Sequence, residues 1–182
     1  MKFSIATAAV ALSAAASAAP TAPATFAIQI TATIAGTPTS MYLGKDGAGT
    51  GVADLKDAES CTISPSAQLL CGGKAIGAAP AMGGYVDMAP LAPVSGAAAM
   101  TDGFSVDANN VLHWKSVKFP SLPQVGKLIV EKQGGEAQWG LFKSTMLTRG
   151  AVKLYSQLGC PGGTHSGLHD ELVVGSIKVV PL

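Results

Sequence analysis

The residues best equipped for chemistry stand together near the C-terminus: Cys160, His165, His169 and Asp170, within the run CPGGTHSGLHDE. A thiolate, two imidazoles and a carboxylate are donors that zinc accepts, and copper takes the sulfur and nitrogen ones. Four residues separate Cys160 from His165 and three separate the two histidines, so one turn could gather them around an ion. Gly162, Gly163 and Gly167 favour a loop over a helix. The zincin pattern His-Glu-x-x-His is absent, and so is a second cysteine pair. A polar loop between two strands, with Asp170 and Glu171 in solvent, ranks above metal binding because two histidines at this spacing are a weak motif.

His113 is a second candidate, beside Trp114 and with Asp107 across a turn. A nearby serine would make this a hydrolytic triad, but no Gly-x-Ser-x-Gly elbow supplies one. Ser166, in Gly-Thr-His-Ser-Gly, is one place off that symmetry. An ordinary strand histidine is the expectation. Asp54, Asp57 and Glu59 lack the ligand spacing of a calcium loop, and the glycine-rich run GKDGAGTG at 44–51 lacks the Gly-Lys-Ser/Thr ending of a phosphate loop. Trp114 and Trp139 could stack on sugar rings if exposed; on amphipathic strands they are expected as core anchors.

The elements that must position these groups are strands. Residues 101–119 hold the clearest pattern: Phe104 and Val106 alternate with Ser105 and Asp107, then Val111, His113 and Lys115 alternate with Leu112 and Trp114. This predicts two strands joined by Ala108, Asn109 and Asn110, where asparagine accepts a positive φ. Period-two alternation over 25–34 places Phe26, Ile28, Ile30, Ala32 and Ile34 on one face. Further strands are expected at 40–43, 52–55, 60–63, 68–70, 127–132, 137–143, 151–157 and 172–180, with a turn at Gly36, Pro38 and Thr39. Residues 72–99, rich in Gly, Ala and Pro, are expected as long loops around one extended piece at 84–88. The spacing of strands and turns predicts an all-β fold, a single antiparallel β-sandwich or barrel-like domain over 19–182 with long Gly/Ala/Pro-rich loops.

Residues 1–18 have the order of a secretory signal peptide: Lys2, an apolar run, then Ala16-Ser17-Ala18 before the cut. Loss of Lys2 would leave 11 basic and 11 acidic side chains, a neutral chain ill suited to nucleic acid or an anionic membrane. No later apolar run has the length to span a bilayer. Three cysteines in a secreted chain predict one disulfide and one leftover thiol. Cys61 and Cys71 flank CTISPSAQLLC, whose Pro65-Ser66 turn would set the two thiols opposite each other, leaving Cys160 over.

GFSVDANNVLHW, the preceding Cys61 and Cys71, Lys127-Leu-Ile-Val, Trp139-Gly-Leu-Phe and Gly159-Cys160 follow one another in an order that resembles the small fungal secreted cell-wall proteins of the PhiA type, IgE-binding antigens among them. Relatives carry a cysteine near the position of Glu131 and another near Cys160. This chain has only the second; if the resemblance includes pairing of those two, that bridge is missing here and Cys160 is the cysteine left over. The resemblance implies a non-enzymatic protein of the cell wall or extracellular space with a developmental, antigenic or effector-like role, and it brings no catalytic residue and no cofactor. The expected partners are cell-wall polysaccharide or an extracellular protein. Two alternatives stand beside it: a metal-binding protein or metal-dependent enzyme using Cys160, His165, His169 and Asp170, and a carbohydrate-binding module using Trp114 or Trp139.

Overall fold

The alternating segment FAIQITATI forms β1 (Phe26–Ile34). Phe26, Ile28, Ile30 and Ala32 are buried on one face, while the other runs from buried Ala27 through half-buried Gln29 and Thr31 to exposed Thr33, so the strand faces the core on one side and emerges on the other toward its end. The computed structural model describes residues 23–34, 36–79, 88–117, 119, 134–143, 151–158 and 171–182. The leader at 1–18, the strand expected at 127–132 and the cluster from Cys160 to Asp170 lie outside them. Among the described residues the fold is all-β: thirteen strands, one short 3-10 turn at Leu55–Asp57, and no α-helix.

Every ladder is antiparallel and β1 is the hub. Along one edge it pairs with β13 (Glu171–Pro181), from Phe26 opposite Pro181 to Thr31 opposite Ser176. Its other edge is shared. Residues Gln29 to Ile34 pair with β2 (Thr37–Leu43), and Phe26 pairs with Cys61 of β4 (Cys61–Ile63). β11 (Gln138–Lys143) lies between β13 and β12 (Val152–Gln157). β2 also pairs with β3 (Gly51–Val52), and Thr50 bridges Lys153 of β12. The circuit β1, β2, β3, β12, β11, β13 thus comes back to its start, a sheet nearly closed into a barrel. Closure removes exposed strand edges.

A second path leaves β1 through β4, β5 (Leu69–Cys71) and β6 (Lys74–Gly77) to β8 (Ala92–Pro93). At its far end β7 (Met88–Pro90) pairs with β12. β7 and β8 are two halves of one run bent at Leu91, whose buried side chain and N–H, donated to the Leu154 carbonyl at 2.8 Å, fix the bend. Residues 84–87 of the extended piece expected at 84–88 lie outside the described residues, and the described parts of 72–99 hold three short strands, β6, β7 and β8, where long loops were expected. Their partners impose what composition hides. Gly72 and Gly73, both at positive φ, turn β5 into β6, and Pro90 and Pro93 occupy short terminal strands, where a missing N–H is tolerated.

β2 begins at Thr37, so Pro38 lies in a strand opposite Thr33 rather than in the turn. Beyond Val52 the chain leaves the sheet and enters the 3-10 turn, so the strand expected to reach Leu55 stops early. The Cys61–Cys71 disulfide is formed between directly opposed residues of β4 and β5, with Cα atoms 4.1 Å apart.

β9 (Phe104–Val106) and β10 (Leu112–Trp114) make a separate two-stranded ribbon, as the alternation in 101–119 predicts. Asn110 takes a φ of 60° in its turn. Main-chain bonds tie the ribbon to the large sheet, among them Val179 N–H to Asn110 O at 2.8 Å, Ala137 N–H to Trp114 O at 3.0 Å, and Phe104 N–H to Ala67 O at 2.9 Å. Its inner face carries Phe104, Val106, Leu112 and Trp114 into the same core as Phe26, Ile30, Leu141, Leu154 and Ile177.

Candidate functional site: a histidine between two carboxylates

With Phe104, Leu112 and Trp114 inward, the pleat turns Ser105, His113 and Lys115 outward. Asp107 closes the ribbon: its Oδ1 accepts the N–H groups of Asn109 at 2.8 Å and Val111 at 2.9 Å. Its other oxygen, Oδ2, lies 3.3 Å from His113 Nε2. On the opposite side of the ring, Gly134 and Gly135 at positive φ deliver Glu136, whose Oε1 is 2.9 Å from His113 Nδ1. Lys115 Nζ approaches the second Glu136 oxygen at 3.7 Å. The His113 side chain is 35 % exposed, so these contacts are half-screened by water.

The Val111 N–H does most to stabilise the Asp107 carboxylate. Desolvation opposes it, and His113 and the Asn109 N–H add to the stabilisation, so Asp107 ionises below the usual carboxylate range. His113 and Glu136 also line a groove of about 330 Å³ between β10, the start of β11 and β13. Val111, Gln138, Trp139, Val174 and Ser176 also line it.

Asp107 and His113 meet, as their places around the turn suggest. Ser105 is the cross-strand partner of His113, yet each ring nitrogen already faces a carboxylate, which leaves no basic nitrogen for a serine hydroxyl. The two carboxylates bind opposite edges of the ring and do not converge on a common point. Among the described residues no group of three or more His, Cys, Asp or Glu is placed to hold a metal ion. The metal candidates Cys160, His165, His169 and Asp170 lie outside the described residues, as does Ser166.

Trp114 and Trp139 are core residues, 1 % and 7 % exposed. They stack at 6.3 Å between ring centroids, and no open indole face is presented to a sugar. The run at 44–51 is organised from within. Asp46 Oδ1 accepts the N–H groups of Ala48 at 2.9 Å and Thr50 at 3.4 Å, taking donors a phosphate would need, and Lys153 Nζ donates to Ala48 O at 2.8 Å. Partial burial pushes the Asp46 carboxyl up. The Thr50 hydroxyl, the Ala48 and Thr50 N–H groups and the Lys153 charge outweigh it, so this carboxyl too ionises low.

Glu136 is the member that sequence reasoning missed. A Gly-Gly turn before the strand at 137–143 is visible in the chain, but a partner 23 residues from His113 has no local signature. No protein-family model, curated protein or solved structure matches this chain.

Proposed function

We propose that this chain is a secreted protein of the extracellular space or cell wall that acts through its structure or by surface binding rather than by catalysis. The observation that carries the reading is the Cys61–Cys71 disulfide set within the sheet, since bridges of this kind persist in oxidising compartments. The signal-peptide pattern of residues 1–18 and the resemblance to cell-wall proteins of the PhiA type point the same way. The engagement of both His113 nitrogens by carboxylates supports a binding role over a hydrolytic one. The partner is a wall polysaccharide or an extracellular protein, and the groove beside His113 is the surface on which it would rest.

Expression of the full chain in a secreting fungal host tests this. The expected product is found in the medium or wall fraction, begins at Ala19, carries the Cys61–Cys71 bridge and co-sediments with wall polysaccharide or a wall protein. A cytosolic product that keeps its leader and reduced cysteines would overturn the reading.

A further inference from the structure

We propose that Asp107, His113 and Glu136 form a proton-operated latch that fastens the β9–β10 ribbon to the start of β11 and so controls the groove between them. A charged imidazole has two N–H donors and a neutral one has a single donor. Here both ring nitrogens stand at hydrogen-bond distance from carboxylate oxygens, 2.9 Å on the Glu136 side and 3.3 Å on the Asp107 side. A carboxylate only accepts, so both bonds exist together only while the ring is charged.

Loss of the proton weakens the fastening in either neutral form. With hydrogen on Nδ1, the Glu136 bond survives without the ring's positive charge and the Nε2 lone pair confronts Asp107. With hydrogen on Nε2, the Glu136 bond is lost outright. Asp107 keeps its place in both cases, because the Asn109 and Val111 N–H groups hold its other oxygen. The change therefore falls on the link between ribbon and β11.

The described charged groups around the ring are Asp107 in the turn, Glu136 before β11, Lys115 on β10 itself, and exposed Lys178 of β13, which bridges Val111. Lys115 is paired to the far oxygen of Glu136, so it steadies that carboxylate without replacing the ring's contact. The groove is held at one end by Val179 N–H to Asn110 O and at the other by Ala137 N–H to Trp114 O. The latch lies beside the second tie, and the Ala137 amide reports on it.

The test uses the full chain from pH 4.5 to 9. Nitrogen-15 spectra of the histidine rings, with His113 assigned by comparison with His113→Gln, count the ring N–H groups. Amide exchange at Ala137, corrected for the intrinsic pH dependence, follows the tie. Two His113 N–H groups at acid pH giving way to one, with Ala137 protection falling roughly three- to tenfold in wild type and staying level in His113→Gln, are expected for the loss of one half-screened charged hydrogen bond. A single N–H throughout, or parallel wild-type and variant profiles, overturns the latch. Should His113→Gln not fold, Glu136→Gln takes its place: it retains an acceptor but no charge, and its acid-to-alkaline change at Ala137 must be smaller than that of wild type.

Discussion

Trp114 lies flat on Phe104, its cross-strand partner, with ring centroids 4.7 Å apart and planes within 9°. Phe119 meets the same indole edge-on at 5.3 Å, and the indole N–H donates to Asp102 O at 2.8 Å. This pair pins the ribbon to the core, so Trp114→Ala should cost about 3–5 kcal/mol by urea unfolding. Trp114→Phe should cost less, because a ring remains on Phe104. Loss of the neighbour should also shift Trp139 emission to the red in the alanine variant.

Gly103 enters β9 at a φ of 88°, and a Cβ there would run into the Lys115 carbonyl oxygen. Lys115 N–H donates to Gly103 O at 2.9 Å, so the two backbones cannot separate without losing that bond. Gly103→Ala should therefore destabilise the protein by about 2 kcal/mol or more, from the left-handed conformation and the contact together. An unchanged urea midpoint would refute the close approach.

The Cys61–Cys71 bridge closes a short loop at the point where β4 meets β1. On the chain-entropy account, removing both thiols as alanine should cost about 2.5–3 kcal/mol. The same loss should appear in wild type after reduction, and the double variant should be indifferent to reductant.

Asp46 and Asp107 both ionise more readily in the folded chain than in an unfolded one. The unfolded state then binds more protons, so the stability these groups contribute is present above about pH 4 and is lost as pH falls through their folded values. Wild type should lose stability between roughly pH 4 and pH 2. Asp46→Asn and Asp107→Asn should start lower at pH 6 and decline less over the same interval. Unfolding midpoints at each pH measure it.

If the secreted, non-catalytic reading holds, the purified chain should carry no stoichiometric zinc or copper and should show one alkylatable thiol, at Cys160. Intact mass under native and denaturing conditions, with metal content on the same sample, measures both. One bound ion that disappears in His165→Ala/His169→Ala would instead establish the metal site.

Local alternation made β1 and the ribbon legible, because a half-buried strand must repeat its apolar residues every second position, and β-branched or aromatic residues mixed with polar ones between glycine turns marked β11, β12 and β13. Opposed cysteines around a Pro-Ser turn announced the disulfide for a similarly local reason. The Gly-, Ala- and Pro-rich residues 72–99 carry no such period. Their strands exist because β5, β12 and the bend at Leu91 supply partners from elsewhere in the chain. Asp107 lies six residues from His113 and the turn itself brings them together. Glu136 reaches the ring only because Ala137 is bonded to the end of β10. Side-chain type and local period are written in the chain; which distant segments lie side by side depends on how the sheet closes, and that closure is what places a second carboxylate against His113.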